Sequence, residues 1–258
     1  MTLNATIEGI GFWAPGLPGW EAARAFARDG SRPEAAPARP SPQLLPPNER
    51  RRAPDTVAVA LDVALAACAM AQRDPKTLPS VFASMHGDLA ITDYMCATLA
   101  SEPAGVSPIR FHNSVHNAAA GYWTIGAGAM EPATAISAFD ATFAQGLLEA
   151  AVQLAAGADA VLLVAYDAAA TGPLAQVSPS RGLLGGALVL SRRAGGPRLS
   201  LALGDGEPTP ATGPLAAHGA GNAMAPMLPL FDALAAGHAG CRLSAGPGRI
   251  LNVDIAND

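Results

Sequence analysis

From Thr56 to Ala71 the chain reads Thr-Val-Ala-Val-Ala-Leu-Asp-Val-Ala-Leu-Ala-Ala-Cys-Ala-Met-Ala, a stretch that is apolar on nearly every side of a helix. A helix with one apolar stripe can lie on a surface, whereas a helix apolar all round has to be enclosed. The spacing therefore predicts a buried helix over residues 55–73, with Asp55 capping its first turn. Everything around it must supply cover.

Strands and helices alternate on both sides of this segment. Residues 4–12 alternate as a first strand, and Ala14-Pro-Gly-Leu-Pro-Gly19 ends it in turn residues. A short helix follows at Glu21–Arg28, and Gly30 to Pro47, crowded with proline and arginine, reads as a partly mobile surface loop without its own core. Next come a strand at 79–85, a helix at Asp88–Ser101 and a small-residue helix at Asn117–Gly128 suited to close packing. A strand at 133–138, a helix at 141–156 and a strand at 160–166 lead to a hairpin-like pair at Gly186–Arg192 and Arg198–Ala202. Beyond Gly204 only a Gly/Pro-rich loop, a helix around Asn222–Ala236 and a last strand at Ile250–Ile255 are expected. This order predicts α/β architecture, a central sheet covered by helices, in a single domain over residues 1–258.

With 258 residues, 50% hydrophobic and 14% charged, the chain can bury a large core. Its net charge of -5, without a basic stripe or interleaved aromatics, argues against nucleic acid. The N-terminus lacks a basic region followed by a long apolar one, and later apolar stretches are interrupted too soon to span a bilayer. No membrane insertion and a cytoplasmic location are expected. Cys68, Cys96 and Cys241 are odd in number and widely spaced, which suits a reducing compartment and indicates neither a disulfide framework nor a zinc site.

Five segments in order carry a family resemblance: Gly9-Ile-Gly-Phe-Trp-Ala-Pro-Gly-Leu17, Pro47-Asn-Glu-Arg-Arg-Arg52, Ala83-Ser-Met-His-Gly-Asp-Leu89, Ser107-Pro-Ile-Arg-Phe-His-Asn-Ser-Val-His-Asn-Ala-Ala-Ala-Gly-Tyr-Trp123 and Gly185-Gly-Ala-Leu-Val-Leu190. Together they resemble the N-terminal half of β-ketoacyl synthases, most closely the short chain-length-factor-like proteins of aryl polyene pigment clusters. The Ser107–Trp123 string is the specific one, and the likeness runs over residues 5–193. It implies a thiolase-like fold with a complete N-terminal βαβαβαββ half, an abbreviated C-terminal part at 194–258, and dimerisation along the strand before the nucleophile helix.

The same resemblance places Asp140 where condensing enzymes keep their cysteine. Condensation needs a nucleophile that attacks a thioester and leaves readily, which a low-pKa thiolate at a helix N-terminus does. A carboxylate would give a mixed anhydride prone to hydrolysis. Asp140, just before the helix at 141–156, is better suited to accept from free backbone N–H groups, the alternative being a polar contact that shapes a pocket. The histidines that decarboxylate malonyl-carrier protein have no recognisable setting. His116 and His218 are the weak candidates for a base, and the cysteines read as core, so no catalytic residue is assigned.

His112 and His116 are spaced i, i+4, a metal-binding spacing on a helix, but Ser-Pro before them and Asn-Ala-Ala-Ala-Gly after favour a turn entering a helix. Hydrogen bonding to backbone at a dimer interface, shared with Asn113, Ser114 and Asn117, is the better reading; no metal and no cofactor are expected. By resemblance His86, Leu89, Phe111 and Phe139 fall where one synthase subunit walls the acyl tunnel of its partner; the alternative is ordinary core. Arg50, Arg51 and Arg52 either attract an acidic acyl carrier protein or form an internally paired loop, and Arg192-Arg193 shares that ambiguity. The leading expectation is a non-catalytic subunit that pairs with an active β-ketoacyl synthase and serves an acyl carrier protein. A divergent condensing or acyl-transfer enzyme acting alone through Asp140, and a homodimeric acyl-binding scaffold, are the rivals.

Overall fold

The computed structural model describes residues 2–256. Strand β1 (Leu3–Trp13) leads through helix α1 (Trp20–Asp29) into residues 30–46, which form neither helix nor strand. That segment is pinned all the same: Leu45 is buried, and the Arg39 guanidinium meets the Ala53 carbonyl at 3.1 Å and the Asp55 carboxylate at 2.9 Å. A short helix α2 (Pro47–Arg52) precedes α3 (Asp55–Ala71), which is largely buried as expected but leaves Ala66, Ala69 and Met70 exposed. Asp55 is not its cap. Pro54 holds the N-cap position without a side-chain bond, so the Asp55 carboxylate is free to pair with Arg39.

The next elements are β2 (Ser80–Ala83), α4 (Leu89–Ser101), α5 (Pro108–Ser114), α6 (Ala118–Ala127), β3 (Ala133–Ile136), α7 (Thr142–Ala155) and β4 (Ala160–Asp167). A four-residue helix α8 (Leu174–Val177) and strand β5 (Leu184–Ser191) close the first half, which runs βαβαβαββ as the resemblance implies. The rest is short: β6 (Arg198–Asp205), α9 (Pro214–His218), α10 (Leu228–Ala236), β7 (Gly240–Gly246) and β8 (Arg249–Ala256).

These strands form one eight-stranded sheet in the order β3-β2-β4-β5-β1-β6-β8-β7. The expected hairpin of β5 with β6 is not formed. Strand β1 lies between them, pairing its first residues with β6 (Leu3 with Leu201) and its remainder with β5 (Trp13 with Gly185). Neighbours in sequence are thus separated because β1 is long enough to serve both partners. The true hairpin is β7 with β8, and β7 lacks a strong apolar alternation in Gly-Cys-Arg-Leu-Ser-Ala-Gly. The expected helix at 222–236 begins at Leu228, since Asn222 folds its side chain back onto the Met224 N–H and Pro226 opens a separate 3-10 turn.

Two cores flank the sheet. On one face α3 and α6 bury Val59, Val63 and Trp123; on the other α7 and α10 bury Phe143, Leu147 and Phe231. Helix α7 touches β4, β2 and β1 and also β7, so the shortened second half covers its far side. The α3 packing depends on absent side chains. A Cβ at Gly9 would overlap the Ala67 carbonyl oxygen, one at Gly11 the Val63 carbonyl oxygen, and one at Gly185 the Val59 side chain.

Side chains then lock the layers. Arg73, just past α3, makes a two-pronged contact with Glu8 of β1 (2.6 and 2.8 Å) and reaches Asp159 before β4 at 2.7 Å. Arg73 holds the Glu8 carboxyl below its usual range, against the opposing effect of burial. No helix among the described residues is long and apolar enough to cross a membrane.

Gly11→Ala is expected to lower unfolding stability by about 1–3 kcal/mol, as overpacking against immobile backbone does. The control Gly19→Ala, where nothing lies within 4 Å, should stay within about 1 kcal/mol of the parent in the same urea titration.

Candidate functional site

Strand β3 pairs only with β2 and forms one edge of the sheet. Beyond it the chain turns through Ser137, Ala138, Phe139 and Asp140 into α7. Phe139 sits at φ 51°, in the left-handed region, which costs a non-glycine residue roughly 1–2 kcal/mol. Its ring is 78% exposed. Asp140 does not cap α7, whose N-cap position is Ala141 without a side-chain bond; the corner before it is closed by the Thr142 hydroxyl, which accepts from the Ala138 N–H at 2.9 Å and donates to the Phe139 carbonyl at 2.6 Å. Asp140 is exposed and makes no hydrogen bond or ion pair among the described residues, because the hydroxyl two residues on already occupies the corner. No imidazole is bonded to it.

The histidines sit elsewhere. His218 at the end of α9 bonds the Pro15 carbonyl at 2.9 Å, lies 3.4 Å from an Arg32 nitrogen and packs edge-on against Phe26. Since a carbonyl only accepts, its Nε2 carries the proton and Nδ1 faces Arg32 as acceptor. His116 bonds the Ser84 carbonyl at 2.7 Å through Nε2. His112 ends α5 and stacks edge-on with Tyr122, while His116 lies past the helix terminus at Val115, so the two imidazoles do not share a helical face.

The best-built polar centre surrounds Asp167, a residue that the sequence reading passed over. This fully buried carboxylate ends β4 and accepts from the Ser84 hydroxyl at 2.8 Å, the Met85 N–H at 2.9 Å and the His86 N–H at 3.1 Å. The Ser84 hydroxyl oxygen also accepts from the Gly87 N–H, and Asn222 donates to the Asp167 carbonyl. Ser137, from the β3 corner, donates to the Met85 carbonyl at 3.0 Å, and His86 meets the Ser178 hydroxyl at 3.3 Å. The turn Ser84–Asp88 is thus gripped from β4, the α5–α6 junction and the β3 corner. Burial pushes the Asp167 carboxyl up to about 6 against its three donors, and burial lowers the His86 imidazole below its ordinary value. The available signal was a lone acid closing the apolar run Ala160–Tyr166.

The remaining expected residues are scattered over neighbouring elements. Leu89 is half-buried at the start of α4, whose cap Asp88 accepts from the Ile91 N–H and the Thr56 hydroxyl. Phe111 is 59% exposed on α5, not core. Asn113 is buried and accepts from the Tyr122 hydroxyl at 3.0 Å, Ser114 bonds the Phe111 carbonyl, and Asn117 is exposed without a side-chain cap bond. Arg50, Arg51 and Arg52 occupy α2, a helix where a loop was expected; Arg50 bonds Gln43 and Arg51 bonds Asn48, both neutral amides. Cys68 and Cys241 are buried, with thiols pushed up to about 12, while Cys96 is exposed on α4 rather than packed in the core. Buried, protonated thiols are not nucleophiles.

An eight-stranded mixed sheet between two helical layers, with a corner at Asp140 leading into a buried α7 and a shortened second half, has the architecture of a thiolase-like ketosynthase fold. The family profile for the β-ketoacyl synthase N-terminal domain matches residues 20–248, and the chain belongs to that family. No curated protein sequence matches it. Among solved structures, the complex of a ketosynthase (ApeO) with its chain length factor (ApeC) from Xenorhabdus doucetiae is similar over 98% of this chain and 99% of that one, at 24% identity and TM-score 0.76. The ishigamide ketosynthase/chain length factor covers 78% of this chain and 67% of its own at 16% identity and TM-score 0.64. A β-ketoacyl synthase from Burkholderia phymatum STM815 covers 92% and 71% at 14% identity and TM-score 0.59. At such identities the likeness is one of fold.

Asp167 provides a pH test with a defined sign. Its folded-state value lies above the unfolded carboxylate value of about 3.9, so its contribution to stability is full below that value and is lost as pH rises through about 6. The stability difference between the parent and Asp167→Asn, measured by urea unfolding at pH 4 and pH 7, should therefore shrink by about 1–3 kcal/mol at the higher pH. A pH-independent difference would contradict the burial account.

Proposed function

We propose that this chain is a non-catalytic, chain-length-factor type of ketosynthase-like subunit that pairs with an active β-ketoacyl synthase and helps extend an acyl chain on an acyl carrier protein in the cytoplasm. The observation that carries the reading is the corner at residues 139–140. The position of the nucleophile holds an exposed carboxylate with no base bonded to it, while the fold around it is intact. A partner would supply the cysteine and the decarboxylating histidines.

A run of exposed apolar side chains supports pairing. Ile109 and Phe111 on α5, Val115, Ile125 on α6, Met130 and Phe139 occupy successive elements that pack together beside the unpaired edge of β3. Exposed edges and large apolar surfaces favour a covering partner. A chain of the complex of a ketosynthase with its chain length factor, similar to this chain over nearly its full length, supports the same assignment; the family resemblance of the Ser107–Trp123 string suggests an aryl polyene setting. In this reading His86, Leu89, Phe111 and Phe139 wall the partner's tunnel, His112, Asn113, His116 and Asn117 hold the segment that presents them, and Arg50–Arg52 on α2 offer positive charge to the acidic carrier protein.

Native mass spectrometry after co-expression with a catalytic β-ketoacyl synthase from the same organism is expected to give a one-to-one complex; a stable homodimer indifferent to the synthase would favour a self-paired acyl-binding scaffold instead. In the reconstituted complex Phe111→Ala or Leu89→Ala should lengthen the products read by liquid chromatography and mass spectrometry. Unchanged chain length in an intact complex would remove the tunnel-wall role.

A further inference from the structure

Strand β1 changes partners along its length: Thr6–Trp13 pair with β5, and Leu3–Thr6 pair with β6 on the other side. Strand β5 ends at Ser191, opposite Thr6, and the chain leaves through residues 192–197 to begin β6 at Arg198, also opposite Thr6. Leu3, Asn4 and Ala5 therefore have β6 on one side and no strand on the other. That gap is a notch of ≈ 470 Å³, bordered by Ala155 at the end of α7 and by Arg192, Arg193 and Arg198. Its volume falls in the range that takes small molecules. The notch lies at the end of the sheet away from the nucleophile corner: Ser191 is level with Ala160, where β4 begins, whereas the corner follows Ile136, level with Ala83 and Ala165 at the other end.

Three guanidiniums converge here in a chain whose net charge is -5, and their partners do not balance them. Arg193 meets the Asp159 carboxylate at 3.1 Å, but Arg73 already holds that group at 2.7 Å. Chiefly the Arg73 bond, with added charge from Arg193 and Arg192, keeps the Asp159 carboxyl below its usual range. Arg192 donates only to the Gly157 carbonyl, at 3.3 Å, and Arg198 has no carboxylate partner among the described residues. Ser191 and Arg198 flank Thr6 from opposite sides, two strand spacings or about 10 Å apart. Guanidinium forks match phosphate oxygens in pairs, and cations spread over that distance suit two phosphoryl groups better than one.

We propose that this notch binds a compact polyanion with two linked phosphates, Arg192 and Arg198 each taking one phosphoryl group and Arg193 adding positive charge between the strand ends. The inference is independent of the pairing with a synthase, since the notch is formed within this chain at the far end of the sheet.

Isothermal titration of the untagged full chain with pyrophosphate and with orthophosphate tests the match. Pyrophosphate should bind about tenfold more tightly than orthophosphate, and the double substitution Arg192→Ala, Arg198→Ala should weaken pyrophosphate by at least about tenfold. Both arginines are exposed, so circular dichroism of the double variant should match the parent. The control Arg24→Ala, Arg28→Ala on α1 changes the net charge equally but leaves the notch intact, and its affinity should stay within about twofold of the parent. Ala194→Trp, which fills the notch without changing any charge, should weaken pyrophosphate as well. ADP, the third probe, identifies the source: tighter binding than pyrophosphate supports a nucleotide, and weaker or equal binding supports a free polyphosphate. Equal affinity for pyrophosphate and orthophosphate, an unaltered affinity in the folded double variant, the same loss in the α1 control, or no binding of any probe would overturn the proposal.

Discussion

The contact on which the rest of the structure depends is that of the α3 backbone with the centre of the sheet. Gly9 and Gly11 on β1 and Gly185 on β5 let the helix carbonyls and Val59 settle directly on the strands. That approach accounts for the apolar residues on the enclosed sides of α3: one side meets the sheet and another α6, with Leu45 folded over the same core, while Ala66, Ala69 and Met70 remain exposed. Once α3 is fixed, β1 is held between β5 and β6, and α7 is left to fill the opposite face. The Arg73 contact with Glu8 and Asp159 then ties the end of α3 to both β1 and the approach to β4.

From this frame follows the geometry at the sheet's edge. Asp167 ends β4 at full burial and gathers the turn after β2, while Ser137 and His116 reach the same turn from the β3 corner and the α5–α6 junction. The corner itself is made by Thr142 and a left-handed Phe139, and its Asp140 carboxylate makes no hydrogen bond or ion pair among the described residues. In the proposed pairing, the surface presented there is formed by the exposed apolar side chains of α5, α6, Met130 and Phe139.

Much of the first half was legible in the residues. Strand alternation in β1, the turn residues after it and the all-apolar run of α3 are strong local signals, and each appears within a few residues of its expected bounds. What failed was set by long-range contacts. Nothing local to Gly186–Ala202 reveals that β1 inserts between two strands adjacent in sequence, and β7 is too rich in small residues to show a period. Caps were misassigned for a similar reason: Asp55 and Asp140 stand at helix starts, but Arg39 draws the first away and the second lies one residue before Ala141, which holds the N-cap position without a side-chain bond. Of the candidate site, the residues around His86 and His116 were found through the family resemblance, whereas Asp167 became visible only through the three consecutive donors, Ser84, Met85 and His86, of a turn distant in sequence.

In the proposed pairing, the face from α5 to the β3 corner is covered by a catalytic partner. Hydrogen–deuterium exchange of this chain with and without a catalytic β-ketoacyl synthase from the same organism tests it most directly. New protection is expected to concentrate in residues 107–139, with β6 and β8 unchanged. Protection confined to β6 and β8, or no change on mixing at concentrations where a complex would form, would contradict it.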